Sequence, residues 1–82
     1  MHEMGLVRDL LRRAEAAADG KAVSGLRLRV GALAGVDPGY LREYIDRETT
    51  TRWGHSPKVE IVTAEDPTDP DALGVVLVSV EA

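Results

Sequence analysis

The chain opens Met1-His2-Glu3, and a histidine beside a free amino terminus is already most of a chelating group. The terminal amine, the His2 backbone nitrogen and the His2 imidazole close adjacent small rings, giving in-plane nitrogens that suit square-planar Ni(II) or Cu(II). No fold is needed to assemble them. His55 is the only other imidazole. It stands in Gly54-His55-Ser56-Pro57, an ordinary turn, and reads as an exposed loop residue that supplies an additional ligand only if its loop lies beside the amino terminus. Glu65, Asp66, Asp69 and Asp71 form an acidic connector that lacks the central glycine and distal glutamate of a calcium loop. Enzyme chemistry has little to work with. There is no cysteine nucleophile, no Gly-x-Ser-x-Gly turn and no glycine-rich stretch with phosphate-loop spacing, so the chain is not expected to be an enzyme.

These groups must be carried by one domain, residues 1–82, because 82 residues at 44% hydrophobic content suffice for a single modest core and not for two. Without cysteine there is no disulfide and no zinc-thiolate staple, so stability must come from apolar burial, with a homo-oligomer as one way to extend it. A net charge of −4 excludes a dedicated nucleic-acid binder, which needs a basic face. Arg8, Arg12 and Arg13 fall among Asp9 and Glu15 and read as a solvated helix face. No run approaches the ~18 apolar residues of a membrane span, and the first residues lack the basic-then-apolar order of a secretory signal. The expected compartment is the cytoplasm.

From Met4 to about Ala18, Leu6, Leu10, Leu11, Ala14 and Ala17 recur at helical spacing, and the helix should stop at Asp19-Gly20. From Ala22 to about Ala32 the period changes to two, with Leu26, Leu28 and Val30 opposed to Arg27 and Arg29. Asp37-Pro38 is a helix start, predicting a second helix to about Arg52. Its core contact, from Leu41, Tyr44, Ile45 and Glu48, should come mainly from the first half, and Thr49 to Thr51 should fray. Tyr40, Tyr44 and Trp53 are expected to be buried or half-buried. A second strand should run from Lys58 to about Ala64 and a third from Val75 to Glu81. The unbroken Val75 to Val78 places that third strand in the middle of the sheet, antiparallel between two parallel edges. The expected fold is α+β: an αβαββ two-layer sandwich, a three-stranded mixed sheet with two helices on one face.

With these elements in order, Met1-His2-Glu3-Met4, the stretch from Leu28 to Pro38 (LRVGALAGVDP) and the closing Val76 to Glu81 (VLVSVE) resemble the hydrogenase nickel-incorporation family HypA/HybF over nearly the whole chain. That family consists of small nickel metallochaperones that load Ni(II) into [NiFe]-hydrogenase and, in some organisms, urease. The resemblance implies a metal site at Met1, His2 and Glu3: His2 as the indispensable side chain, Met1 as the amine, Glu3 as a backbone nitrogen or a nearby carboxylate that tunes the site. Nickel would be transient cargo. The implied partners are a maturation GTPase or the hydrogenase large-subunit precursor.

One departure is large. Family members carry a zinc module with two CxxC pairs between the last two strands, and here that position holds only residues 65–74, a short acidic loop. No zinc site is expected, whether the domain is naturally reduced or trimmed. The missing module supports a second reading, a paralogue that has lost nickel delivery and acts as a structural or protein-interaction subunit. Gly5, which loosens the link between the terminal motif and the first helix, points the same way.

Overall fold

The computed structural model describes residues 3–82, with side chains from Gly5 onward. Five elements follow in the order α1 (Glu3–Ala18), β1 (Gly25–Val30), α2 (Pro38–Trp53), β2 (Lys58–Thr63) and β3 (Val75–Glu81). Both helices cover one face of a three-stranded sheet, so the fold is a small α+β sandwich. No helix among the described residues is long and apolar enough to cross a membrane.

Helix α1 buries Val7, Leu10, Leu11, Ala14 and Ala18. Its core stripe is rotated from the one expected: Leu6 is only half-buried and Ala17 is exposed, because Val7 and Ala18 complete the face that meets the sheet. The helix ends where Asp19 and Gly20 both take positive φ, 52° and 83°, the left-handed geometry that breaks an α-helix. Helix α2 begins as its residues require. The Asp37 carboxylate accepts from the Gly39 amide at 2.7 Å and more weakly from the Tyr40 amide, while Pro38 occupies a first-turn position whose missing N–H costs nothing.

The far end of α2 differs from expectation. Thr49 is fully buried and its hydroxyl donates to the Ile45 carbonyl at 2.7 Å, so a residue of poor helical propensity packs without an orphaned polar atom. Gly54 then closes the helix with φ 75° and an N–H bonded to the Thr50 carbonyl. The buried stripe of Leu41, Ile45 and Thr49, continued by half-buried Trp53, therefore runs the helix's full length instead of its first half. Tyr44 is half-buried as expected; Tyr40, at 63% exposure, is not.

The strand order is β2-β1-β3, which corrects the expected placement of β3 in the middle. Strand β1 pairs parallel with β2, Leu26 opposite Val59 and Leu28 opposite Ile61, and antiparallel with β3, Leu28 opposite Leu77. An unbroken apolar run reports how faces are covered; it says nothing of how many neighbours bond the backbone. In β3 the run has another cause. The register shifts between Arg27 and Leu28, leaving Val78 as the extra residue of a bulge. Val75, Leu77 and Val80 turn to the core, while Val78 is 48% exposed on the uncovered side. On that open face Arg27 pairs with Glu60 and Arg29 with Asp71. On edge strand β2, the Val59 carbonyl is covered by a hydrogen bond from Arg42 at 2.6 Å.

Gly31 follows β1 where the chain must pass under the 65–74 loop. Its N–H donates to the Gly74 carbonyl, and a Cβ there would overlap the carbonyl groups of Asp71 and Ala72. The short loop is thereby sealed onto the sheet's end, with Ala72 buried beneath it.

Candidate metal centre

Met1 and His2, two of the three expected ligands, lie outside the described residues. Glu3 is the first residue of α1. The opening amides of an α-helix have no acceptor within the helix, so the Glu3 backbone nitrogen is not committed to the ladder and faces the chain's beginning. The helix is held by burial from Val7 onward, which fixes its axis and hence the place from which the terminal residues depart.

His55 lies at the opposite end of that helix. A helix of 16 residues spans about 24 Å, and His55 adjoins the turn after it, beside Gly20, Lys21 and Val23. Each ring nitrogen faces a carbonyl: Nε2 lies 2.8 Å from that of Val23 and Nδ1 3.2 Å from that of Trp53, with the ring stacked 6.1 Å from the Trp53 indole. A neutral imidazole carries one N–H, so the ring donates to one of these two carbonyls, and both contacts place it between the α2–β2 turn and the entrance to β1. The structure does not bring His55 to the start of α1. It acts there as a strap between the α2–β2 turn and the entrance to β1.

The acidic connector is organised into turns. Asp66 accepts from the Thr68 hydroxyl at 2.7 Å and the Thr68 amide at 2.9 Å, which hold its carboxyl below the usual range, and Asp69 accepts from the Asp71 amide at 2.8 Å. Asp71 faces Arg29 at 3.5 Å. Among the described residues no three His, Asp or Glu side chains converge as a metal-holding group.

No known protein family, curated protein or solved structure matches the chain. Its own residues carry the argument.

Two features were not visible in the sequence. Beside the first turns of α1 is a groove of about 450 Å³ whose mixed lining sets Leu6, Leu10, Val36 and Leu73 beside the charged Asp9 and Arg13. Leu73 at its lip is 78% exposed, and nearby Leu33, whose amide bonds the Ala72 carbonyl, is 54% exposed. Nothing in their spacing distinguished these loop leucines from core residues. The second is a clamp between the helices. Glu15 accepts from Arg52 Nε at 2.7 Å, Arg52 Nη2 at 2.8 Å and Trp53 Nε1 at 2.7 Å. The Arg52 guanidinium first, and the indole N–H second, pull the Glu15 carboxyl down from 4.5 to about 2. Helical periodicity could place Glu15 on a face, but only the α1–α2 packing supplies its two partners.

Proposed function

We propose that this domain is a nickel-binding metallochaperone-like module that holds Ni(II) as cargo at Met1, His2 and Glu3. By its resemblance to HypA/HybF, it passes the ion to a maturation GTPase or a hydrogenase (or urease) precursor. The observation that carries the reading is the Met-His-Glu sequence set directly on the head of α1, with Glu3 as a helical residue whose amide has no partner in the ladder. The donors are the Met1 amine, the His2 imidazole and main-chain nitrogens. Such amides ligate only after losing their protons, so binding tightens as pH rises. The same proton dependence makes the ion removable, as a carrier requires.

Calorimetric Ni(II) titration of the chain with its natural beginning tests the proposal. One equivalent should bind, and His2→Ala or a short extension before Met1 should abolish it. Unchanged affinity in both variants sinks the reading.

A second reading, a domain of the same fold that serves as a structural or interaction subunit, is favoured by the exposed Leu33 and Leu73 at the end of the sheet beside the groove. Under it, nickel would bind no more tightly than to a free peptide beginning Met-His-Glu.

A further inference from the structure

We infer that two copies of this chain join edge to edge through β3, forming one six-stranded sheet in the order β2-β1-β3-β3-β1-β2 with four helices on one face, whether or not the chain carries nickel. The sheet has two edges, and only one is guarded. On β2 the Val59 carbonyl is covered by Arg42, and Lys58 and Glu60 charge the strand. On β3, no loop or side chain among the described residues bonds the 75–80 backbone on the side away from β1. Its seven residues are mainly valine, with one charge, Glu81, at the end and neither of the residues, lysine and proline, that keep an edge from pairing.

The bulge selects the partner. In an antiparallel pair, residues that stand opposite must point to the same face of the sheet. The extra residue puts Val78 and Ser79, neighbours in sequence, both on the open face with Val76 and Glu81, while Leu77 and Val80 face the helices. A regularly alternating strand can match this only by leaving one residue unpaired, as β1 does. A second β3 matches it throughout. Turned about a two-fold axis between Val78 and Ser79, it sets Val76 opposite Glu81, Leu77 opposite Val80 and Val78 opposite Ser79, each pair on one face.

Half-buried Leu77 and Val80 then cover each other across the seam. Glu81 forms no ion pair with the described residues of its own chain. In this register it ends the row of Val62, Arg29 and Val76 in the other copy, where about 10 Å of sheet separates it from the arginine and the two long side chains span the gap together. The helices follow. Because α1 lies against β3, the two-fold sets both copies of α1 side by side. Half-buried Leu6 and exposed Ala17 lie on the flank of α1 opposite Arg8 and Glu15, which bind α2, and the second helix covers them.

Sedimentation velocity of the full chain in EDTA, from about 10 µM to about 1 mM, should show monomer and dimer in equilibrium. Val78→Lys, at a position already 48% exposed, keeps the fold and sets two ammonium groups beside the two-fold axis, so it should weaken association by about tenfold or more. Val62→Lys makes the same change on the same face at the guarded edge, where the side chain is 47% exposed, and should leave association within about twofold of the wild type. A wild-type chain that stays monomeric at about 1 mM overturns the proposal. So does a Val62→Lys variant that dissociates as readily as Val78→Lys, since the contact would then lie on the open face. Should Val78→Lys not fold, amide exchange of the wild type decides: protection of residues 76–81 should rise with concentration while that of residues 58–63 stays constant, and an equal change in both strands overturns the edge pairing.

Discussion

Replacing Glu15 with glutamine should measure what joins the two helices at their carboxyl ends. The wild-type carboxylate receives two parallel bonds from Arg52 and a third from the Trp53 indole, all between 2.7 and 2.8 Å. Fully buried, such charge-assisted bonds would each contribute about 1.5–3 kcal/mol. Here the Glu15 and Arg52 side chains are 38% and 34% exposed, so solvent screening and the ordering of two long side chains reduce the whole cluster to about 1–1.5 kcal/mol. In a chain of this size that corresponds to a fall in Tm of about 5–10 °C. The pH dependence has a definite sign. Because folding lowers the Glu15 carboxyl from 4.5 to about 2, its contribution is complete above 4.5 and is lost as pH falls towards 2, where the folded state also takes up the proton. Urea unfolding followed by Trp53, the sole tryptophan, should show wild type and Glu15→Gln separated at pH 7 and converging by pH 2.5. A gap below about 0.3 kcal/mol at pH 7, inside the scatter of neutral surface substitutions, would refute the clamp. So would a gap that does not narrow in acid.

Gly31→Ala should destabilise the fold by about 2–4 kcal/mol, since its methyl group meets the backbone of Asp71 and Ala72, which cannot move without unsealing the loop; chemical denaturation checks this. Thr49→Val keeps the buried volume and removes a hydroxyl bonded only within its own helix, so stability should change by less than about 0.5 kcal/mol, whereas Thr49→Asp should fail to fold stably, as far-UV dichroism would show. Asp37→Ala leaves the Gly39 and Tyr40 amides without their acceptor and should cost about 1 kcal/mol in thermal unfolding, mostly recovered by Asp37→Ser.

Features set by local chemistry were legible in the chain itself. Helix α2 starts at Asp37-Pro38 because a carboxylate and a proline can satisfy a first turn unaided, and α1 stops at Asp19-Gly20 because left-handed residues end helices wherever they occur. The alternation of Leu26, Leu28 and Val30 was equally self-sufficient: period two on a half-wet strand needs no knowledge of the neighbours.

What the sequence could not decide depended on which surfaces meet. The middle strand is chosen by backbone pairing on both sides, and β3's apolar run, reset by a one-residue bulge, carried no information on that point. Thr49 and Tyr40 were misplaced because burial follows the rotation of α2 against its neighbours, which overrides propensity and size. His55 was read as an exposed loop imidazole, and it is exposed. What only tertiary structure shows is its company, the Val23 and Trp53 carbonyls at the far end of α1, because the α2–β2 turn docks against the entrance to β1 and not against the start of α1. Capping and periodicity act between neighbours in sequence and can be read from it; pairing order, helix rotation and the company a loop keeps are settled only when distant segments exclude water from between them.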